Sequence, residues 1–214
     1  RDRDEPALRT LLERARALGF TGVLIGNLGH LPLVRGLDFH LYGDYGLNVF
    51  NSRSLAYLKD KELESACVSF ELRFAQIRDL KKVLRAEAIV YGRLPLMITE
   101  NCLVQNETGC RLDRQGPCVP EDGPCRCGQP NVLVDRTGAA FPLLPAYGHR
   151  TEIQNSKPLY LADRPEHRRL GLAYARLRFT TETAEECVSV VQNYLDAAPA
   201  AGDFTRGLYE RGVE

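Results

Sequence analysis

Apolar residues recur at helical spacing near the start of the chain, where Leu8, Leu11, Leu12, Ala15 and Leu18 share one face of Pro6–Leu18. Asp4 and Pro6 are start signals for this helix and Gly19 is its stop. The pattern then changes. Val23–Leu28 (VLIGNL) is a short apolar run of the kind a strand buried on both faces shows, and further runs follow at Phe39–Tyr42 and Cys67–Leu72 (CVSFEL). Helical stretches separate them, at Ser54–Lys61 and again where Phe74, Ile77, Leu80, Val83 and Leu84 recur, before another strand at Ala88–Tyr91. Strands alternating with helices predict right-handed β-α-β crossovers and a parallel sheet, so the class is α/β.

Polar residues recur where these strands end: Asn27, His30, Asp44, Asn48, Asn51, Glu71, Arg93 and Glu100. In a parallel barrel the carboxyl ends of the strands build the active face, so such a recurrence is what a barrel site leaves in sequence. For any one of them helix capping is the favoured reading, because Asn, Asp and Ser are preferred caps. Further on, Val132–Val134 and Ala139–Leu143 flank the turn signal DRTG and predict a β-hairpin. Leu172–Phe179 reads as a further strand, with Arg176 and Arg178 on one side of its alternation. A final helix starts at a capping box, Thr183 with Glu186, and carries Cys187, Val190, Val191, Tyr194 and Leu195 as its apolar stripe. Cys67 and Cys187 are therefore expected in the core, where free cysteine packs as a small hydrophobe.

Composition adds one departure from the ordinary. The 28 basic residues balance 28 acidic ones, which argues against a strong sequence-independent grip on phosphates, and no apolar run approaches the roughly 20 residues of a membrane helix. Five of the seven cysteines, however, lie between Glu100 and Arg150: Cys102, Cys110, Cys118, Cys125 and Cys127, with His149 closing the stretch. Gly and Pro break this stretch, so it reads as an irregular loop in need of a cross-link. The chain length, the odd cysteine count and the absence of an apolar leader favour a reduced cytoplasmic protein with a thiolate-ligated metal or iron–sulfur centre over disulfides or unligated thiols.

The runs DYGLNVFNS (44–52), VSFEL (68–72), VYGRLPLMITENC (90–102), LVDRTGAAFP (133–142), HRTEIQNSKPL (149–159) and FTRGLYERGV (204–213) resemble peptidase family U32, the collagenase-like peptidases. The similarity runs from about residue 20 to the C-terminus. It implies a TIM-type (β/α) barrel, partial here and made of the later strands, as in the C-terminal unit of a long member. Residues 1–99 would form the parallel barrel segment, 100–162 a cysteine-rich loop and hairpin insertion, and 163–214 the final barrel strand and helix.

The better-understood branches of that family look like oxygen-independent hydroxylation systems acting on RNA bases or a small aromatic precursor, with a 4Fe-4S cluster on four cysteines. Matched motif by motif, Cys102, Cys110 and Cys127 fall on three of those ligands, and His149 stands where the fourth is expected. Cys125 is an alternative donor, and zinc or no metal are the alternatives to the cluster. Arg150, Arg176, Arg178 and Asn48 are the expected substrate contacts, since guanidinium forks suit carboxylate and phosphate. The cationic stretch Arg164, His167, Arg168 and Arg169 offers a contact for RNA, and other domains of the same longer protein are the expected partners. Two further readings stand beside this one: a collagenase-like peptidase, for which His30 or His40 with a loop cysteine would form the dyad, and a non-catalytic structural domain of a larger U32 protein.

Overall fold

The computed structural model describes residues 4–108 and 129–212. The elements run in the order α1 (Glu5–Ala17), β1 (Gly22–Ile25), α2 (Leu31–Val34), β2 (His40–Gly43), α3 (Ser52–Asp60), β3 (Leu63–Cys67), α4 (Phe74–Asp79), β4 (Arg85–Gly92), β5 (Pro95–Thr99), α5 (Leu103–Thr108), β6 (Asn131–Val134), β7 (Ala140–Ala146), β8 (Arg150–Gln154), β9 (Leu159–Tyr160), β10 (Tyr174–Leu177) and α6 (Ala184–Asp196). The chain divides into two compact units. One comprises Arg1–Val90, Arg164–Arg176 and Arg206–Glu214, and the other Tyr91–Asp163 and Leu177–Thr205.

In the first unit β1, β2, β3 and β4 are parallel and lie side by side in sequence order, with β10 next to β4. The Ala173 amide bonds the Ala86 carbonyl at 2.8 Å at the start of that last pairing. Sequential parallel neighbours joined by helices confirm the α/β class. The connecting helices begin where the sequence supplies caps: Asn51 Oδ1 accepts from the Arg53 and Ser54 amides, each at 3.0 Å, and starts α3. Leu55 and Leu58 of α3, Ile77 of α4, and Ile25, Val49, Val68, Leu72 and Ile89 form the buried core. Tyr209 closes it from the C-terminal segment. Its ring stacks on Phe74 with centroids 5.3 Å apart, and its hydroxyl donates to the Ile89 carbonyl at 2.6 Å.

The third strand differs from the expected one. It spans Leu63–Cys67, not Cys67–Leu72, because the chain leaves the sheet after Val68, which makes a single bridge to Val49 and is followed by a turn closed by the Leu72 amide on the Ser69 carbonyl. The run CVSFEL is apolar because it packs under the sheet's end, with Val68 and Leu72 fully buried. Likewise α4 stops at Asp79, so Leu80, Val83 and Leu84 belong to the connection into β4, and β10 is shorter than Leu172–Phe179.

In the second unit the hairpin β6–β7 is present, and its turn is held by Asp135, whose carboxylate accepts from the Thr137 and Ala139 amides. The hairpin belongs to a larger antiparallel sheet in the order β5-β8-β7-β6, which the sequence reading left as loop. Leu143 and Ile153 pair across it and are covered by Cys102 and Val104. Tyr91 and Gly92 at the end of β4 pair antiparallel with β9. Around them Tyr91, Tyr160 and Tyr194 pack with Phe179 and Phe204. Gly92 has φ +119°, and a Cβ there would sit 2.0 Å from the Arg178 carbonyl oxygen, so only glycine fits. The α6 capping box forms as expected, but its inward face carries Val190 and Tyr194, while Val191 and Leu195 are exposed.

Candidate functional site

Antiparallel register decides which ends of the second unit's strands meet. Thr99 at the end of β5 pairs with Thr151, and Arg150 at the start of β8 pairs with Ala146 at the end of β7. β6 enters from that same end, since Asn131 pairs with Leu143. Cys102 follows β5 by three residues and His149 immediately precedes β8, so both leave one end of one sheet. A direct bond ties them further: the Leu103 amide donates to Thr151 Oγ1 at 3.0 Å, and Thr151 is buried.

Cys102 is a free, buried thiol among Val104, Leu143, Ile153, Leu103 and Phe141. His149 is half-buried and closes the turn from β7 to β8 with φ +60°, directly after Gly148 at φ +75°. A left-handed non-glycine residue costs about 1–2 kcal/mol, and such outliers cluster at functional sites. Cys110, Cys118, Cys125 and Cys127 lie outside the described residues. Among the described residues no group of three or more His, Cys, Asp or Glu side chains is placed to hold a metal ion. Sulfur and imidazole nitrogen, the donor types that Cys102 and His149 carry, are ones that iron and zinc accept.

A second polar constellation lies in the first unit, across four neighbouring strands at the level where β2 and β3 end. Cys67, the last residue of β3, is in register with Glu87 of β4, and Asp44 follows directly after β2. Arg176 of β10 reaches both carboxylates, with Nη1 donating to Asp44 and Nε to Glu87. Burial works against its charge, but the bonds to Glu87 and Asp44 outweigh this and raise its pKa above the ordinary arginine value. Burial also pushes the Cys67 thiol up to about 12, against the attraction of the nearby guanidinium. Cys67 is thus a core residue, as its position in an apolar run predicted.

Arg178 has a corresponding role in the second unit. Its Nη1 donates to Gln154 Oε1 and the Arg93 carbonyl, both at 2.7 Å, and its Nη2 pairs with Glu152 at 2.8 Å. Glu87, Glu152 and Gln154 were not singled out from the sequence. Their one local signal was a polar residue within a buried strand, as in the segment RAEAIVYG. Arg150 is the most loosely held of the three arginines, with Glu100 3.4 Å away. Asn48 is exposed, in the left-handed conformation at φ 49°, and ends the 3-10 turn Tyr45–Leu47. His40 pairs with Glu64 at the opposite, amino end of the parallel strands, and His30 is exposed. In the cationic stretch His167 is buried and Arg164 pairs with Glu210 at 2.9 Å, while Arg168 and Arg169 are exposed.

The family model for Peptidase family U32 matches residues 1–132. No curated protein and no solved structure matches the chain.

Proposed function

Because the chain belongs to peptidase family U32, we propose that it is an iron–sulfur-dependent protein of the oxygen-independent hydroxylation type, acting on an RNA base or a small aromatic molecule. The observation that supports this reading is the register of the β5-β8-β7-β6 sheet, which brings Cys102, His149 and the entry to β6 to one end. Cys127 stands four residues ahead of Asn131 in the sequence, and with Cys110 it completes the proposed ligand set, in which Cys125 is the alternative to His149. A cluster held there would supply one-electron chemistry, with a potential set by its ligands and its hydrogen bonds. The chain's own residues do the rest. The apolar neighbours of Cys102 exclude water, and Arg150 holds an anionic group of the substrate.

In the same reading the sequentially ordered parallel strands are the later part of a TIM-type barrel, and its carboxyl ends, with Asn48 and Arg176, form the substrate side. A non-catalytic supporting role is the second reading. It is favoured by the fact that Arg176 and Arg178 direct their donors to the protein's own Asp44, Glu87, Glu152 and Gln154.

Iron, zinc and acid-labile sulfide analysis of protein purified without oxygen separates these readings. The proposal expects iron and sulfide in equal amounts, close to four of each per chain, strongly reduced by Cys102→Ala. Stoichiometric zinc without sulfide, or no metal at all, would establish the supporting role instead. Gelatin hydrolysis by the same preparation is expected to be absent.

A further inference from the structure

The first unit has a cavity that neither constellation uses. It has a volume of about 380 Å³ and lies where the turns after β1 and β2 meet the start of α3. Leu28, Leu47, Val49 and Leu58 give it aliphatic walls, Tyr57 contributes a half-exposed ring, and Asn51, Arg53 and Ser54 form its polar end. In open α/β sheets ligands bind outside the carboxyl ends of the strands, in cavities of this size that combine apolar walls with a few convergent polar groups.

The polar end has a definite sign. Asn51 Oδ1 already accepts from the Arg53 amide, the Ser54 amide and the Ser54 hydroxyl, so its acceptor capacity is used within the helix cap. Arg53 is exposed and pairs with no carboxylate among the described residues, and the lining contains no acidic side chain. The group best matched to that end is an acceptor that carries negative charge, which a guanidinium binds as a fork. The walls require the remainder of the ligand to be aliphatic, since Leu28 at 48% exposure is an apolar surface left uncovered.

We propose that this cavity binds a medium-chain aliphatic carboxylate, with the carboxylate on Arg53 and the chain against Leu28, Leu47 and Tyr57. The residues of this cavity belong to the first unit, whereas Cys102 and His149 belong to the second, and octanoate binding needs neither of those two side chains.

The test is titration of the full chain with sodium octanoate, followed by amide correlation spectra. Saturable shifts confined to residues 45–58 and Leu28 are expected. The carboxylate's contribution should make Arg53→Gln and 1-octanol each weaker by about tenfold or more, a typical effect of losing one charge-assisted pair. Arg53 is exposed, so the variant is expected to fold, and an unchanged urea midpoint verifies this. Octanoate affinity unaffected by Arg53→Gln would overturn the proposal. So would inorganic phosphate binding as tightly as octanoate, since the walls would then contribute nothing, or shifts that never saturate.

Discussion

Two sets of polar residues cross the same parallel sheet at different levels, and they have different fates. At the amino ends of the strands His40, Glu64, Arg85 and Tyr174 form a chain in which Arg85 pairs with Glu64 at 2.8 Å and donates to the Tyr174 hydroxyl at 3.0 Å. At the level where β2 and β3 end, Asp44, Cys67, Glu87 and Arg176 form the other. Each set places one arginine between acceptors supplied by neighbouring strands. In the first, the Arg85 side chain keeps 51% of its accessible surface. In the second, Arg176 keeps 20% and Glu87 14%. Water screens the first set, so its pairs contribute little, whereas the second has surrendered most of its hydration and depends on its partners. Position along a strand, more than residue type, thus sets what an ion pair does in this sheet.

The largest effect that would test this contrast is chemical. With Cys67 raised from 9.0 to about 12, its thiolate population near neutral pH falls by about a thousandfold. Iodoacetamide at pH 8, mapped by mass spectrometry, should leave Cys67 unmodified in the folded chain and label it in urea. Rapid labelling of the native protein would show that the second set is open to water.

Next in size is Arg176→Met, which leaves Asp44 and Glu87 uncompensated. Breaking a buried pair costs about 3–5 kcal/mol, and partial exposure places this one near the lower end, about 3 kcal/mol by urea denaturation. Arg85→Ala, at the exposed set, should shift the urea midpoint by only a small fraction of that. Equal losses at the two positions would abolish the distinction.

The smallest effect concerns pH. Glu64 has its pKa lowered by the hydrogen bond from His40 and, to a lesser degree, by the charges of His40 and Arg85. Its contribution is therefore present above the unfolded value near 4.5 and lost as the pH falls through the lower folded value. Wild type and Glu64→Gln should differ slightly at pH 7 and converge only once the pH lies below the lowered folded value. A gap that persists or widens in acid would contradict this sign.

Much of the architecture was legible because its determinants are local. The helical periods of α1 and α3, the Thr183–Glu186 capping box and the DRTG turn each lie within a few residues of what they specify. The strand alternation drew attention to Arg176 and Arg178, of which Arg176 lies in β10 and Arg178 just past its end. Their partners were not legible, because Glu87 lies 89 residues from Arg176 and Glu152 lies 26 from Arg178. β3 was misplaced because hydropathy favoured CVSFEL over LESAC, whose Glu64 and Ser65 sit in a strand held mainly by its parallel neighbours. On α6 the stripe was right for Val190 and Tyr194, with Cys187 partly buried, but it was drawn too wide, since Val191 and Leu195 are exposed. β5 and β8 escaped notice because they pair across more than 50 residues of intervening chain.

The left-handed turn residue before β8 allows backbone and side-chain demands at one position to be separated. Glycine at 149 would adopt φ +60° without a steric penalty and ease formation of the hairpin, while removing an imidazole from that sheet end. Under the proposed ligand set, His149→Gly gives a chain that gains stability and loses metal together, so the two measurements read the two demands independently.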